Sequence, residues 1–143
     1  MSKVQLVALT FATLLVAGGG GLIAAGRIRN LAGPSATVKT GVWGATGIKL
    51  EVTESGGTVE YDCGHDTIDR PLAMDNRGRF SAMGLHYREG GPTRNDEEGE
   101  PARYDGTVNG DTMSLSVTLP RSGTTLGPFS LTFGKVPVLR KCR

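Results

Sequence analysis

Apolar and polar residues alternate along most of the chain after residue 40, with a period of two. Ile48, Leu50 and Val52 alternate with polar side chains, and the same alternation recurs at 113–119. A period of two is typical of β-strands that bury one face. The pattern predicts eight short strands, at 41–53, 59–63, 72–74, 79–85, 102–108, 113–119, 126–133 and 136–140.

Short turns separate these strands. Asn109-Gly110 lies between two alternating segments and provides the positive φ that a tight hairpin requires. No ten-residue segment after residue 40 has the 3.6-residue apolar spacing of a helix. We therefore expect an all-β fold, an antiparallel up-and-down meander of about eight strands closed into a small barrel. A two-sheet β-sandwich is the alternative.

The first 26 residues have the order of a secretory signal peptide. Lys3 precedes an uncharged run at 4–17, and small residues follow at 18–21 and 24–26. The sequence thus predicts a signal peptide at 1–26, a linker at 27–40 and a β-barrel domain at 41–143. The protein would be periplasmic or secreted, with no membrane attachment after cleavage. An uncleaved anchor is the alternative, although four consecutive glycines disfavour a helix there.

Charge and cysteine content narrow the class of protein. The formal net charge is +2, and no long basic run is present, which argues against a nucleic-acid partner. Cys63 and Cys142 are the only cysteines, and in an exported protein they predict one disulfide. If they end the second and eighth strands, the bridge would lie across the first strand, beside Trp43.

The residues most suited to chemistry cluster around 62–66. Asp62, His65 and Asp66 carry metal-ligating and proton-transferring groups, so they are candidates for a metal or hydrolytic site centred on His65. The competing interpretation is a polar loop beside the disulfide, because no nucleophile motif accompanies the histidine. We expect no cofactor and no catalytic residue.

Aromatic residues are candidates for the barrel interior. Trp43 would close one end, while Tyr104 and Phe129 would face inward from later strands. These three residues are the candidates for contact with a ligand, should the interior be hollow.

Two resemblances bear on function. Gly41-Val-Trp43 resembles the G-x-W signature of lipocalins and related calycin barrels, which bind small apolar ligands. Residues 41–142 also resemble an uncharacterised family of exported bacterial proteins. That family has His at the position of Gly47 and Gly at the position of Asp66, so the resemblance does not imply a histidine-centred site. The matching segments are 41–44, 48–53, 60–63, 67–69, 71–72, 78–80, 90–92, 101–104 and 141–142.

The sequence leads to three functional hypotheses. The first is an exported, non-catalytic module that binds a small apolar ligand as lipocalins do. The second is a structural or protein-interaction domain with a filled core, whose partner is another exported protein. The third is the metal or hydrolytic site at His65.

Overall fold

The computed structural model describes residues 36–90 and 98–142, and their regular structure is entirely β-strand. Every strand is antiparallel to the next, and β1 also pairs with β8, so the eight strands form a closed barrel. The predicted up-and-down barrel is therefore confirmed over the sandwich. The strands are β1 (Gly41–Ala45), β2 (Ile48–Val52), β3 (Gly57–Tyr61), β4 (Gly64–Ile68), β5 (Arg79–Arg88), β6 (Glu100–Asn109), β7 (Thr112–Leu119) and β8 (Thr124–Phe133).

The alternation of apolar and polar residues determines which side chains face the barrel interior. Ile48, Leu50 and Val52 on β2 are all buried, as their spacing predicts. The same alternation buries one face of β7. Gly106 lies across from Phe80 on β5, and a Cβ at Gly106 would collide with the phenyl ring. Small residues on one strand thus make room for large side chains on its neighbour.

Two of the predicted strands are not strands. Residues 72–74 make one isolated bridge, between Ala73 and Thr37, and residues 136–140 have no regular structure. Apolar side chains suggested strands in both segments. However, Pro71 and Pro137 provide no N–H group for a ladder, and neither segment has a free strand edge beside it.

One turn divides a predicted strand, and another precedes a strand that was not predicted. The predicted first strand is two strands, β1 and β2, because Gly47 has a φ of +75° and reverses the chain. A second turn at 62–63 is followed by β4, which was not predicted. Polar residues occupy the centre of β4 as His65-Asp66-Thr67, so the apolar alternation that reveals the other strands is missing there.

The connections define two ends of the barrel. The turns at 46–47, 62–63 and 120–123 lie at one end, together with the end of β5 and the start of β6, and we call it the disulfide end. The remaining connections and the start of β1 lie at the opposite end. Strands β1 to β4 have five residues each, whereas β5, β6 and β8 have ten, so one side of the barrel is much taller than the other.

The chain after β8 returns to the disulfide end along the outside of the barrel. We call residues 135–142 the C-terminal strap. The strap passes over Gly44 on β1, where a Cβ would collide with the carbonyl oxygen of Lys135. The strap then reaches the β3–β4 turn, where the Cys142 N–H donates to the Asp62 carbonyl over 2.9 Å. Only glycine at position 44 allows this close approach.

The predicted disulfide between Cys63 and Cys142 is confirmed, with the two Cα atoms 5.0 Å apart. Its predicted position is wrong. Cys63 lies in the β3–β4 turn and Cys142 lies in the strap, so the bridge does not join the ends of two strands across β1. The reason is that β8 ends at Phe133, and Gly134, with a φ of +80°, redirects the chain onto the outer surface.

Most of the predicted leader lies outside the described residues, including all of the signal peptide at 1–26 and residues 27–35 of the linker. The described end of the linker packs against the barrel. The Val38 N–H donates to the Leu72 carbonyl over 2.8 Å, and both side chains are buried. Among residues 36–90 and 98–142, no helix is long and apolar enough to cross a membrane.

Candidate functional site

Trp43 is fully buried and fills the barrel interior near the start of β1. Its indole N–H donates to the Lys39 carbonyl over 3.0 Å. The edge of the indole meets the Phe133 ring, with centroids 5.1 Å apart, and the Lys39 ammonium lies 3.9 Å from the centroid of that ring. These contacts close the end of the barrel at which β1 begins, as expected for Trp43.

Tyr104 and Phe129, the other two aromatic candidates, also reach the interior. Tyr104 lies on β6 and is fully buried, whereas Phe129 on β8 is half-buried, with its ring centroid 6.2 Å from that of Tyr61. A hollow of about 660 Å³ lies outside the interior, on the outer face of β5 to β7, where Ser81, Thr107 and their outward-facing neighbours line it.

A buried polar network lies inside the barrel toward the disulfide end. Asp66 on β4 is completely buried, and its two carboxylate oxygens have different partners. The Tyr61 hydroxyl donates to Oδ2 over 2.7 Å, and His86 Nδ1 donates to Oδ1 over 2.6 Å. A buried carboxylate is costly unless donors compensate for its lost hydration, so these two bonds are what make Asp66 tolerable in the core.

Tyr104 lies beside this network. Its buried hydroxyl has no hydrogen-bond partner among the described residues. Burial raises the pKa of Tyr104 most, and the charge of Asp66 and a hydrogen-bonding interaction with its carboxylate raise it further, so the hydroxyl lies close to the carboxylate without reaching full hydrogen-bond geometry. Burial, the charge of Asp66 and the hydrogen bond to it also raise the pKa of Tyr61. Both phenols therefore stay protonated, but only Tyr61 uses its proton to bind Asp66.

His65 belongs to a separate cluster on the outer face of the barrel. Its Nδ1 lies 2.9 Å from Glu89 Oε1, and its ring stacks on Tyr87 with centroids 4.8 Å apart. Lys141 of the strap lies 3.3 Å from the other oxygen of Glu89. The hydrogen bond from His65, followed by that from Lys141, lowers the pKa of Glu89. His65 is nearly half exposed, so this cluster is open to solvent.

The structure separates the three residues of the metal hypothesis. His65 and Asp66 are adjacent on β4 and therefore face opposite sides of the sheet. Asp62 lies in the preceding turn, between β3 and β4, where its Oδ1 accepts the Arg140 N–H over 2.7 Å and helps to hold the strap. In the described parts of the chain, no three His, Cys, Asp or Glu side chains are placed to hold a metal ion.

Two partners that define these clusters, His86 and Glu89, were not predicted from the sequence. On β5, every second residue from Phe80 to Gly84 faces the interior, and His86 is the next residue in that alternation. The alternation could therefore have predicted that His86 faces inward. Glu89 gave no such signal, because it follows the end of β5 and meets His65 only through the pairing of β4 with β5.

No family model, curated protein or solved structure matches this chain. Function is therefore inferred from the geometry of the barrel itself.

Proposed function

We propose that this chain is an exported protein-interaction module that presents its outer surface to another exported protein and uses its interior only as a core. The filling of the interior carries this proposal. Side chains from β1, β2, β3, β6, β7 and β8 fill it, and each is at most 1% exposed: Trp43, Ile48, Leu50, Val59, Tyr104, Met113, Leu115, Val117 and Leu131.

A lipocalin-like carrier requires a different interior. Pockets for small molecules usually have volumes of several hundred Å³ and mostly apolar walls. Here Trp43 and Phe133 close one end, and Asp66 brings a carboxylate into the other. An apolar ligand at that carboxylate would gain no hydrogen bond and would compete with Tyr61 and His86 for the space.

The outer surface has the properties that such a module needs. Eight closed strands provide a rigid scaffold, and the disulfide fixes the strap to that scaffold. The disulfide is compatible with an oxidising compartment, which supports export of the protein. The hollow of about 660 Å³ and the strap are two separate surfaces on which a partner would find rigid contacts.

Uptake of a fluorescent fatty acid by the purified, oxidised protein tests this proposal. We expect fluorescence to rise linearly with probe concentration and not to saturate, because the interior has no space for the acyl chain. Saturable binding of one probe per protein, displaced by an unlabelled fatty acid, would overturn the proposal in favour of a carrier.

The His65 cluster supports a second candidate function, general-base chemistry on the outer face. Glu89 binds Nδ1 of His65, which leaves Nε2 directed away from that carboxylate. A hollow of about 280 Å³, lined in part by Thr58 and Thr67, lies beside the ring. Hydrolysis of nitrophenyl esters by the wild type and by His65→Gln would test it. Equal rates would exclude His65 as a base toward these esters.

A further inference from the structure

The outward face of the C-terminal strap is unusually apolar for an exposed surface. Val136 is 71% exposed and Val138 is 88% exposed. Among the described residues, the only other large apolar side chain with comparable exposure is Met83, at 51%, on the outer face of β5. Two exposed valines side by side on one segment suggest a contact surface rather than scattered surface residues.

The strap is fixed at both ends. At its start, the Gly134 N–H donates to the Val42 carbonyl over 2.7 Å, and at its end the disulfide and the Asp62 carboxylate hold Arg140 and Cys142. Between them, residues 135–140 contain no turn, bend or helix. Pro137 and Leu139 are half-buried while Val136 and Val138 are exposed, an alternation with a period of two.

The backbone of the strap has unused hydrogen-bonding groups. Among the described residues, the N–H groups of Val136, Val138 and Leu139 make no hydrogen bond, although side-chain burial alternates along the segment as in a strand. An extended segment with unpaired N–H and C=O groups is a template for the addition of another strand. Since both ends are already fixed, little further ordering of the strap would be required on binding.

The charge of the strap determines which kind of partner fits. Lys135 and Arg140 are basic and exposed, Lys141 is paired with Glu89, and no acidic residue follows Asp111 in the chain. Antiparallel pairing of two copies would place basic residues beside basic residues, and like charges in such pairs are destabilising. An acidic partner would instead complement the strap and associate faster at low salt.

We propose that the C-terminal strap is the docking edge for an extended segment of another protein, with alternating acidic and apolar residues, that adds as a β-strand. The inference rests on the proposed interaction function and names the surface and the partner class. Backbone hydrogen bonds supply affinity, Val136 and Val138 contact the apolar residues of the segment, and the basic side chains select its charge.

Fluorescence anisotropy with a labelled peptide of alternating Val and Glu tests the proposal on the full, oxidised protein. We expect saturable binding of one peptide that weakens as salt rises. The double variant Val136→Ser and Val138→Ser should weaken binding by about tenfold or more. Met83→Ser, which removes a similarly exposed apolar side chain from β5, is the matched control and should leave binding unchanged.

Two further peptides test the mode of binding. A peptide of alternating Val and Lys should not bind, because its charge is wrong for the strap. The Val–Glu peptide with methylated backbone nitrogens should not bind either, because it cannot donate the hydrogen bonds of an added strand. Binding of either peptide as tightly as the parent would overturn the proposal.

The outcomes separate this proposal from the proposed function. Absence of peptide binding, or binding unaffected by the valine double variant, overturns the strap as a docking edge even if fatty acid uptake is absent. If the strap instead binds phosphatidylglycerol vesicles, or mediates dimerisation in sedimentation, its partner is a membrane or a second copy. Either result would also overturn the proposal that the strap docks a segment of another protein. Saturable fatty acid uptake instead contradicts the interaction function itself.

Discussion

Tyr61 and Tyr104 form a natural matched pair for testing the buried network around Asp66. Both rings lie in the interior, and both hydroxyls are near the same carboxylate. Only the Tyr61 hydroxyl is bonded to it, over 2.7 Å, whereas the Tyr104 hydroxyl has no partner among the described residues. Replacing each tyrosine by phenylalanine removes one oxygen atom and changes little else.

The two substitutions should have different costs. A hydrogen bond to a charged group contributes about 1.5–3 kcal/mol, so Tyr61→Phe should lower the free energy of unfolding by that amount. Tyr104→Phe removes a buried hydroxyl that lacks full hydrogen-bond geometry to any described residue, which should change the free energy of unfolding by less than about 0.5 kcal/mol or increase it. Asp66→Ala, which leaves both donors without an acceptor, should cost about 3–5 kcal/mol.

Urea unfolding followed by circular dichroism measures these differences. With a denaturant dependence of about 2 kcal/mol per M, the midpoint of Tyr61→Phe should fall by about 1 M and that of Tyr104→Phe should stay near the wild type. Equal losses in the two variants would refute the assignment of the hydrogen bond to Tyr61 alone. A neutral Tyr61→Phe would refute the view that the network compensates for the burial of Asp66.

Three other predictions follow from the strap and the outer cluster. Replacing Cys63 and Cys142 by Ala should lower the free energy of unfolding by about 4 kcal/mol, because the bridge spans 79 positions. Thermal unfolding of the oxidised wild type and of the double variant measures this difference. Gly44→Ala should speed amide hydrogen exchange at Arg140 and Cys142, whose N–H groups bind Asp62, because the added Cβ collides with the strap backbone. The pKa of Glu89 is lowered below its ordinary value of 4.5. The Glu89 carboxylate therefore stabilises the fold above pH 4.5, and this stabilisation is lost as the pH falls through the lowered pKa. His65→Asn should raise the pKa of Glu89 measured by NMR.

The fold could be predicted from the sequence wherever one face of a strand is apolar. Ile48, Leu50 and Val52 show this directly, and so does the inward face of β7. The prediction failed at β4, because an inward-facing Asp66 replaces the apolar residue that would have completed the pattern. It failed again at 136–140, because alternation reports an extended chain and not the presence of a neighbouring strand.

The clusters of the candidate site depend on contacts that adjacency in sequence does not predict. Asp62, His65 and Asp66 are close in sequence, but a turn and the alternation of β4 place them in three different surroundings. Their partners come from elsewhere in the chain: His86 on β5 binds Asp66, and Arg140 in the strap binds Asp62. The register of β4 with β5 places His86 beside Asp66, and the disulfide keeps Arg140 within reach of Asp62.

The filled interior is the central claim, and xenon titration monitored by methyl NMR tests it most directly, because xenon enters empty apolar cavities in proteins. Leu115→Ala, which removes a buried side chain from β7, is the positive control and should show saturable shifts around the new cavity. In the wild type, we expect the methyl groups of Leu115, Val117 and Leu131 to show no saturable shift with xenon. Saturable shifts of these methyl groups in the wild type would show that the interior is hollow and would contradict the account.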